Sequence, residues 1–246
     1  MNANLYQQTR ECYNPSPMQK IRIKYSKEEE LKYLSHLDIV RTIERAVRRS
    51  AIPISYTAGY NPRQQIAFGT PSNVGVTSGS EYLDIFLDRW TNPDIVRMEL
   101  ARTFPPGLKI LDAKAFAPQG ESLSSLINTA EYLVEIEGGK LEIDNLKLRI
   151  KEFFAQKEAK LIRKREKGDR EIDIRPLVYR IELCSSNLLT LDPKPHSAIL
   201  KLFVSVGNRG TVKPEELIRY LGNFAILKVR RVGLWIYRDK SYLSPI

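Results

Sequence analysis

The chain reads as an α+β protein built from two tandem ferredoxin-like halves, each a split β-α-β unit. Three observations predict this. Alternating and helical apolar periodicities give the order β-α-β-β-β-α-β over residues 18–119. A comparable order starts again over residues 126–246, after a link at 120–125 made largely of glycine and serine. The composition, 42% hydrophobic and 28% charged, is that of a folded chain, and 246 residues suffice for one large domain or two small ones.

Residues 20–25 alternate as a strand. Residues 35–50 form a helix with Leu37, Val40, Ile43 and Val47 on one face, capped by Ser35 with Asp38 as acidic partner for the first-turn amides. Short strands follow at 54–56, 65–68 and 81–87, then a helix at 93–103 and a strand at 108–115. In the second half, 132–137 is a strand and 146–156 a helix, and 161–164 and 172–174 are extended. Strands at 177–184 and 198–206, a helix at 214–221 and a strand at 226–237 complete it. Pro214 suits a helix start, where its missing N–H costs little.

The formal net charge is +10, from 39 basic and 29 acidic residues. The excess is uneven: residues 1–128 hold 16 basic and 13 acidic side chains, leaving 23 against 16 for the rest. Such an excess favours polyanions such as RNA or DNA, or an acidic protein surface, although solubility alone also accounts for it. Cys12 and Cys184 are too few and too far apart for a disulfide framework or a four-cysteine zinc site. Residues 1–17 read as a flexible N-terminal extension with no apolar run of signal-peptide length, and no later stretch approaches a membrane span. A cytoplasmic protein without membrane contact is expected.

The stretch from Tyr33 to Asp84 concentrates the polar chemistry. Arg41, Arg45, Arg48 and Arg49 fall at i, i+4, i+7 and i+8, a stripe whose guanidinium forks match phosphate geometry. A solvated helix face partly neutralised by Glu44 explains it equally well. His36 lies in the first helical turn, where a proton-transfer role in RNA cleavage competes with a structural one. The structural role is favoured, because no second proton-transfer residue is fixed beside it. Tyr56, Tyr60, Asn61 and Arg63 combine stacking faces with hydrogen-bonding groups suited to unpaired nucleotides. Tyr56 and Phe68 also fit a sheet core, with Asn61-Pro62 a simple turn.

The glycines at 69, 75 and 79 match neither phosphate-binding pattern and read as a long strand connection. Residues 160–180 are the most basic segment, with Arg163, Lys164 and Arg175 as candidate contacts and acidic residues interleaved. No nucleophile set or metal-ligand cluster can be read. The candidate RNA-binding residues are therefore Ser35, His36, Arg41, Arg45, Arg48, Arg49, Tyr56, Tyr60, Asn61, Arg63, Arg163, Lys164 and Arg175.

The pattern Tyr33-Leu34-Ser35-His36-Leu37-Asp38, then Arg41, Glu44-Arg45-Ala46, Arg48-Arg49, Pro53, Tyr56, Gly59-Tyr60-Asn61-Pro62 and Gly75, resembles a bacterial domain family of unknown function termed radical SAM-linked or radical SAM-associated. Gly168, Ile172-Asp173-Ile174-Arg175 and Gly210-Thr211-Val212-Lys213-Pro214 extend the resemblance. It implies an accessory role beside a separate cobalamin-binding radical SAM protein, and the family's genomic company with RNA-processing genes implies an RNA link. This chain has no three-cysteine iron-sulfur motif, so neither a cofactor nor intrinsic catalysis is expected in it. The leading expectation is an RNA-binding accessory module. A metal-independent endoribonuclease using His36 and a protein adaptor that binds no RNA are the alternatives.

Overall fold

The computed structural model describes residues 17–164, 168–184 and 196–246. All of the expected extension but Pro17, and Arg165, Glu166 and Lys167 of the basic segment, lie outside the described residues.

The first region runs β1 (Gln19–Lys27), α1 (His36–Arg49), β2 (Ile66–Phe68), β3 (Thr77–Leu87), α2 (Pro93–Thr103) and β4 (Leu108–Phe116). Its strands lie in the order β4-β1-β3-β2, every neighbour antiparallel. A short α3 (Leu123–Leu126) occupies the expected link, begun by Ser122, whose side chain accepts from the Ser125 amide. The second region runs β5 (Thr129–Glu137), α4 (Lys140–Asp144), α5 (Leu146–Ala155), β6 (Lys160–Arg163), β7 (Arg170–Asp173), β8 (Val178–Cys184), β9 (Ser197–Ser205), α6 (Pro214–Leu221), β10 (Ala225–Arg238) and β11 (Ser241–Leu243). Here the order is β10-β5-β9-β8, again antiparallel throughout, with β6 and β7 forming a separate hairpin. The class is α+β, as the periodicities predict.

Two cores stabilise these layers. Ile21 and Ile23 of β1 and Leu83 and Ile85 of β3 pack with Ile39, Ile43 and Val47 of α1 and with Val96 and Leu100 of α2. Tyr132, Val134, Leu200, Leu202, Phe153 and Leu217 belong to the core of the second region. Each such aliphatic or aromatic side chain, fully buried, contributes about 1.5–3 kcal/mol.

The regions share one sheet because β3 and β10 pair in parallel, through Thr77 with Arg230 and Ser78 with Arg231. This junction corrects the expected strand start at residue 81. β3 begins at Thr77, because a distant strand supplies partners to a glycine- and serine-containing stretch that locally favours a loop. The expected strand at 54–56 is instead two isolated bridges, Ile54 to Leu87 and Tyr56 to Gln64. Pro53 lacks a backbone N–H and the Asn61-Pro62 turn follows, so a full ladder does not form.

Candidate functional site

Ser35 caps α1 as its sequence predicts: the Asp38 amide donates to its Oγ at 3.3 Å, and that hydroxyl donates to Asp38 Oδ2 at 2.7 Å. The cap fixes the helix start and occupies the Ser35 hydroxyl. The buried face of α1 consists of Ile39, Ile43, Ala46 and Val47, whereas Leu37 is 64% exposed. Its expected place in the core is therefore corrected.

That rotation directs Arg41, Arg45, Arg48 and Arg49 outward, and all four are exposed. Arg41 stands 4.0 Å from Asp38, Arg45 donates to Thr42 Oγ1 at 3.3 Å, and Arg49 donates to the Thr103 carbonyl oxygen at 2.9 Å. Exposed contacts of this kind are worth little in water and yield readily to a phosphate.

The loop after α1 closes on itself: the Thr57 amide donates to the Arg63 carbonyl oxygen at 2.8 Å, and the Arg63 amide donates to Thr57 Oγ1 at 3.0 Å. Gly59 at φ 117° supplies the left-handed residue at its tip. Tyr60 is 99% exposed, with Asn61 and Arg63 exposed beside it and Tyr56 at 42%. Gln64 anchors the loop to α1. With its amide oriented to satisfy both ends, it donates to the Glu44 carbonyl oxygen at 3.0 Å and accepts from the Arg48 amide at 3.3 Å. The structure thus brings the arginine stripe and the aromatic loop together.

His36 is exposed on the helix surface and meets the Phe68 ring edge-on at 5.8 Å. It also lines a cavity of about 10 Å³ with Tyr25, Lys27, Ser72 and Glu81. That volume is near the minimum for one water and far below that of a ribose phosphate.

Behind this cavity lies a buried charged cluster that the sequence reading missed. Arg231 is fully buried; its Nη2 donates to Glu81 Oε1 and, at 3.0 Å, to the Thr70 carbonyl oxygen, while Nη1 donates to the Pro71 carbonyl oxygen at 3.2 Å. Burial, the largest influence, lowers its pKa, but Glu81 and Tyr132 together outweigh it and the net shift is upward. Burial pushes the Tyr25 and Tyr132 hydroxyls up and the Lys27 ammonium down. Lys27 Nζ donates to the Asn73 carbonyl oxygen at 3.3 Å, and the Gly75 amide donates to the Lys32 carbonyl oxygen at 2.7 Å. The 70–75 loop is therefore pinned over the junction. Alternation along β3 gave no sign of this, because the partners come from β1, β5 and β10.

Two of the candidate contacts have partners within the fold. Arg163 forms a two-pronged ion pair with Glu216, both oxygens at 2.7 Å, and donates to the Thr211 carbonyl oxygen at 2.8 Å. Burial opposes the Glu216 charge, but Arg163 and the Lys213 amide outweigh it and hold the carboxyl below its ordinary range. Arg175 stacks over Phe154 at 4.8 Å and donates to its carbonyl oxygen at 3.3 Å. Both side chains are occupied in holding the second region together. Lys164 is exposed but lines a cleft with Asn73, Val74 and α6 rather than extending the α1 stripe.

Among the described residues, no group of three or more histidine, cysteine or acidic side chains is arranged to hold a metal ion, and no helix is long and apolar enough to cross a membrane.

The family model described as "Uncharacterized protein conserved in bacteria (DUF2344)" matches residues 20–214, and the chain belongs to that family. No curated protein matches it. Among solved structures it is similar to a chain of a Cbf5-Nop10-Gar1 complex, with 13% identity, a TM-score of 0.47, and coverage of 93% of this chain and 53% of that one. A chain of the archaeal box H/ACA sRNP Nop10-Cbf5 complex gives 14% identity, a TM-score of 0.43, and 93% and 52% coverage. A chain of an H/ACA RNP bound to a substrate RNA containing 2′-deoxyuridine gives 12%, 0.44, and 92% and 51%. The chain spans about half the length of these relatives, and likenesses this distant carry no argument about function.

Proposed function

We propose that this protein binds unpaired RNA through the outer face of α1 and the Tyr56–Arg63 loop, as an accessory module beside a separate cobalamin-binding radical SAM protein. The observation that carries the RNA reading is the juxtaposition, through Gln64, of exposed Arg41, Arg45 and Arg48 with the exposed ring of Tyr60. Guanidinium forks hold phosphates, and an exposed tyrosine stacks a splayed base, worth about 1–3 kcal/mol per base. Asn61, with both amide donor and acceptor, reads base edges beside it. The radical SAM partner is supported by the sequence resemblance alone.

The nuclease alternative has less support. His36 shares its cavity with Lys27 and Glu81, but that space does not admit a scissile phosphate.

The test is crosslinking of protein to RNA in its native cells, comparing wild type with the Arg41→Ala/Arg45→Ala/Arg48→Ala variant and sequencing the bound RNA. A defined RNA set lost in the folded variant supports the proposal. No enrichment by wild type sinks it and favours a protein adaptor, which co-purification of a radical SAM protein after nuclease treatment would then identify.

A further inference from the structure

The outward face of α1 carries one side chain that phosphate binding does not explain. The buried residues Ile39, Ile43, Ala46 and Val47 fix the inward direction of the helix. At about 3.6 residues per turn, Leu37 falls opposite them, on one ridge with Arg41 and Arg48. Leu37 is 64% exposed, and Tyr33, just before the Ser35 cap, is 72% exposed. A single exposed leucine needs no explanation. Here, however, the basic ridge has large exposed apolar side chains at both ends: Tyr33 and Leu37 at the start of the helix, and Tyr60 on the loop that Gln64 ties to Glu44 and Arg48.

Tyr33 sits on a turn that is fixed by its backbone. The Leu34 amide donates to the Leu31 carbonyl oxygen at 3.0 Å, and the Lys32 carbonyl oxygen accepts from the Gly75 amide at 2.7 Å. Lys32, itself paired with Glu29, places its ammonium 5.0 Å from the centre of the Tyr33 ring. An exposed ring on a pinned turn has little further freedom to lose when a base stacks on it.

From Ser35 to Arg48 the helix rises about 20 Å, at about 1.5 Å per residue. A strand at its stacked spacing of about 3.4 Å covers that length with about six nucleotides. We propose that the RNA site spans the whole of α1, with Tyr33 and Leu37 as a second base-binding station, so that its substrate is a single strand bracketed by Tyr60 and Tyr33. The proposal rests on the RNA reading of α1 above and adds to it the length and the far end of the site. Arg41, Arg45 and Arg48 hold the intervening phosphates. Paired RNA keeps its base faces inside its own stack and offers Tyr33 and Leu37 nothing to cover.

The test is fluorescence anisotropy with the full chain and labelled adenosine oligonucleotides of about three and about seven residues, the short one filling one station and the long one reaching both. The long strand is expected to bind at least about tenfold tighter, the worth of one further stacked base, and to lose that gain when annealed to its complement. Tyr33→Ala/Leu37→Ala should erase the gain from length, barely affect the short strand, and keep the salt slope, because no phosphate contact is lost. Tyr33→Phe should keep the gain, since stacking needs the ring and not the hydroxyl.

No gain from length, a gain that survives Tyr33→Ala/Leu37→Ala, or an equal loss for both strands in that variant overturns the proposal. In each case the Arg41→Ala/Arg45→Ala/Arg48→Ala variant separates the two readings. Weaker binding by it leaves the α1 interface standing and removes only the second station, whereas unchanged binding removes both.

Discussion

On α1, Arg41, Arg45 and Arg48 reach into solvent with at most loose contacts to their own helix, whereas at the junction Arg231 is sealed from water against Glu81 and two loop carbonyls. Arg22 is equally enclosed: it grips Asp84 at 2.8 and 2.9 Å and donates to the Pro245 carbonyl oxygen at 2.8 Å. The same side chain serves opposite ends in these places. A buried guanidinium must spend its donors inside the fold, because an unpaired buried charge is prohibitively costly. An exposed one keeps them for whatever anion arrives.

The comparison breaks most visibly at the junction. Arg231→Met should lower stability by about 3–5 kcal/mol, because it leaves Glu81 buried without its partner. Chemical denaturation measures this, and adding Glu81→Leu should recover much of the loss. A single Arg231→Met loss below 1 kcal/mol would place the pair in water.

The Arg163–Glu216 bridge is intermediate, since its two side chains are 23% and 12% exposed. Arg163→Ala should cost about 1–2 kcal/mol at neutral pH. Arg163 holds the native Glu216 carboxyl below its ordinary pKa, so between the native and unfolded values the unfolded chain binds more protons, and stability rises with pH. The bridge's contribution is complete above the ordinary glutamate range and disappears as pH falls through the lower native value. Denaturation of wild type and Arg163→Ala across that range should show their difference closing on the acid side.

Ser35→Ala removes the α1 cap and should cost about 1 kcal/mol, seen as a lower denaturation midpoint. Smallest of all, Arg45→Ala should change stability by less than about 0.5 kcal/mol.

Much of this architecture is legible in the sequence. Asn92 followed by Pro93, and Lys213 followed by Pro214, mark helix starts, and α2 and α6 have their expected bounds. The cap on α1 follows from Ser35 and Asp38. Which apolar stripe of α1 turns inward does not, because Leu37-Val40-Ile43-Val47 and Ile39-Ile43-Ala46-Val47 both satisfy helical spacing, and only packing against the sheet decides. The exposed arginines and Tyr60 were read from local composition. Lys27, Glu81, Tyr132 and Arg231 were not, since they lie on four strands far apart in sequence and meet only where β3 and β10 pair. The internal partners of Arg163 and Arg175 are not legible in the sequence for the same reason, since Glu216 is remote from Arg163 and Phe154 from Arg175.

The central claim, that the α1 arginines are free for RNA because the fold makes no demand on them, is tested most directly by salt-dependent binding. Single-stranded RNA is titrated at several salt concentrations against wild type and the Arg41→Ala/Arg45→Ala/Arg48→Ala variant, with denaturation curves for both. The account predicts near-equal stability, at least about tenfold weaker binding, and a log–log salt slope shallower by about 2, from roughly 0.7 per lost phosphate contact on a single strand. Unchanged affinity and slope in a folded variant would contradict it.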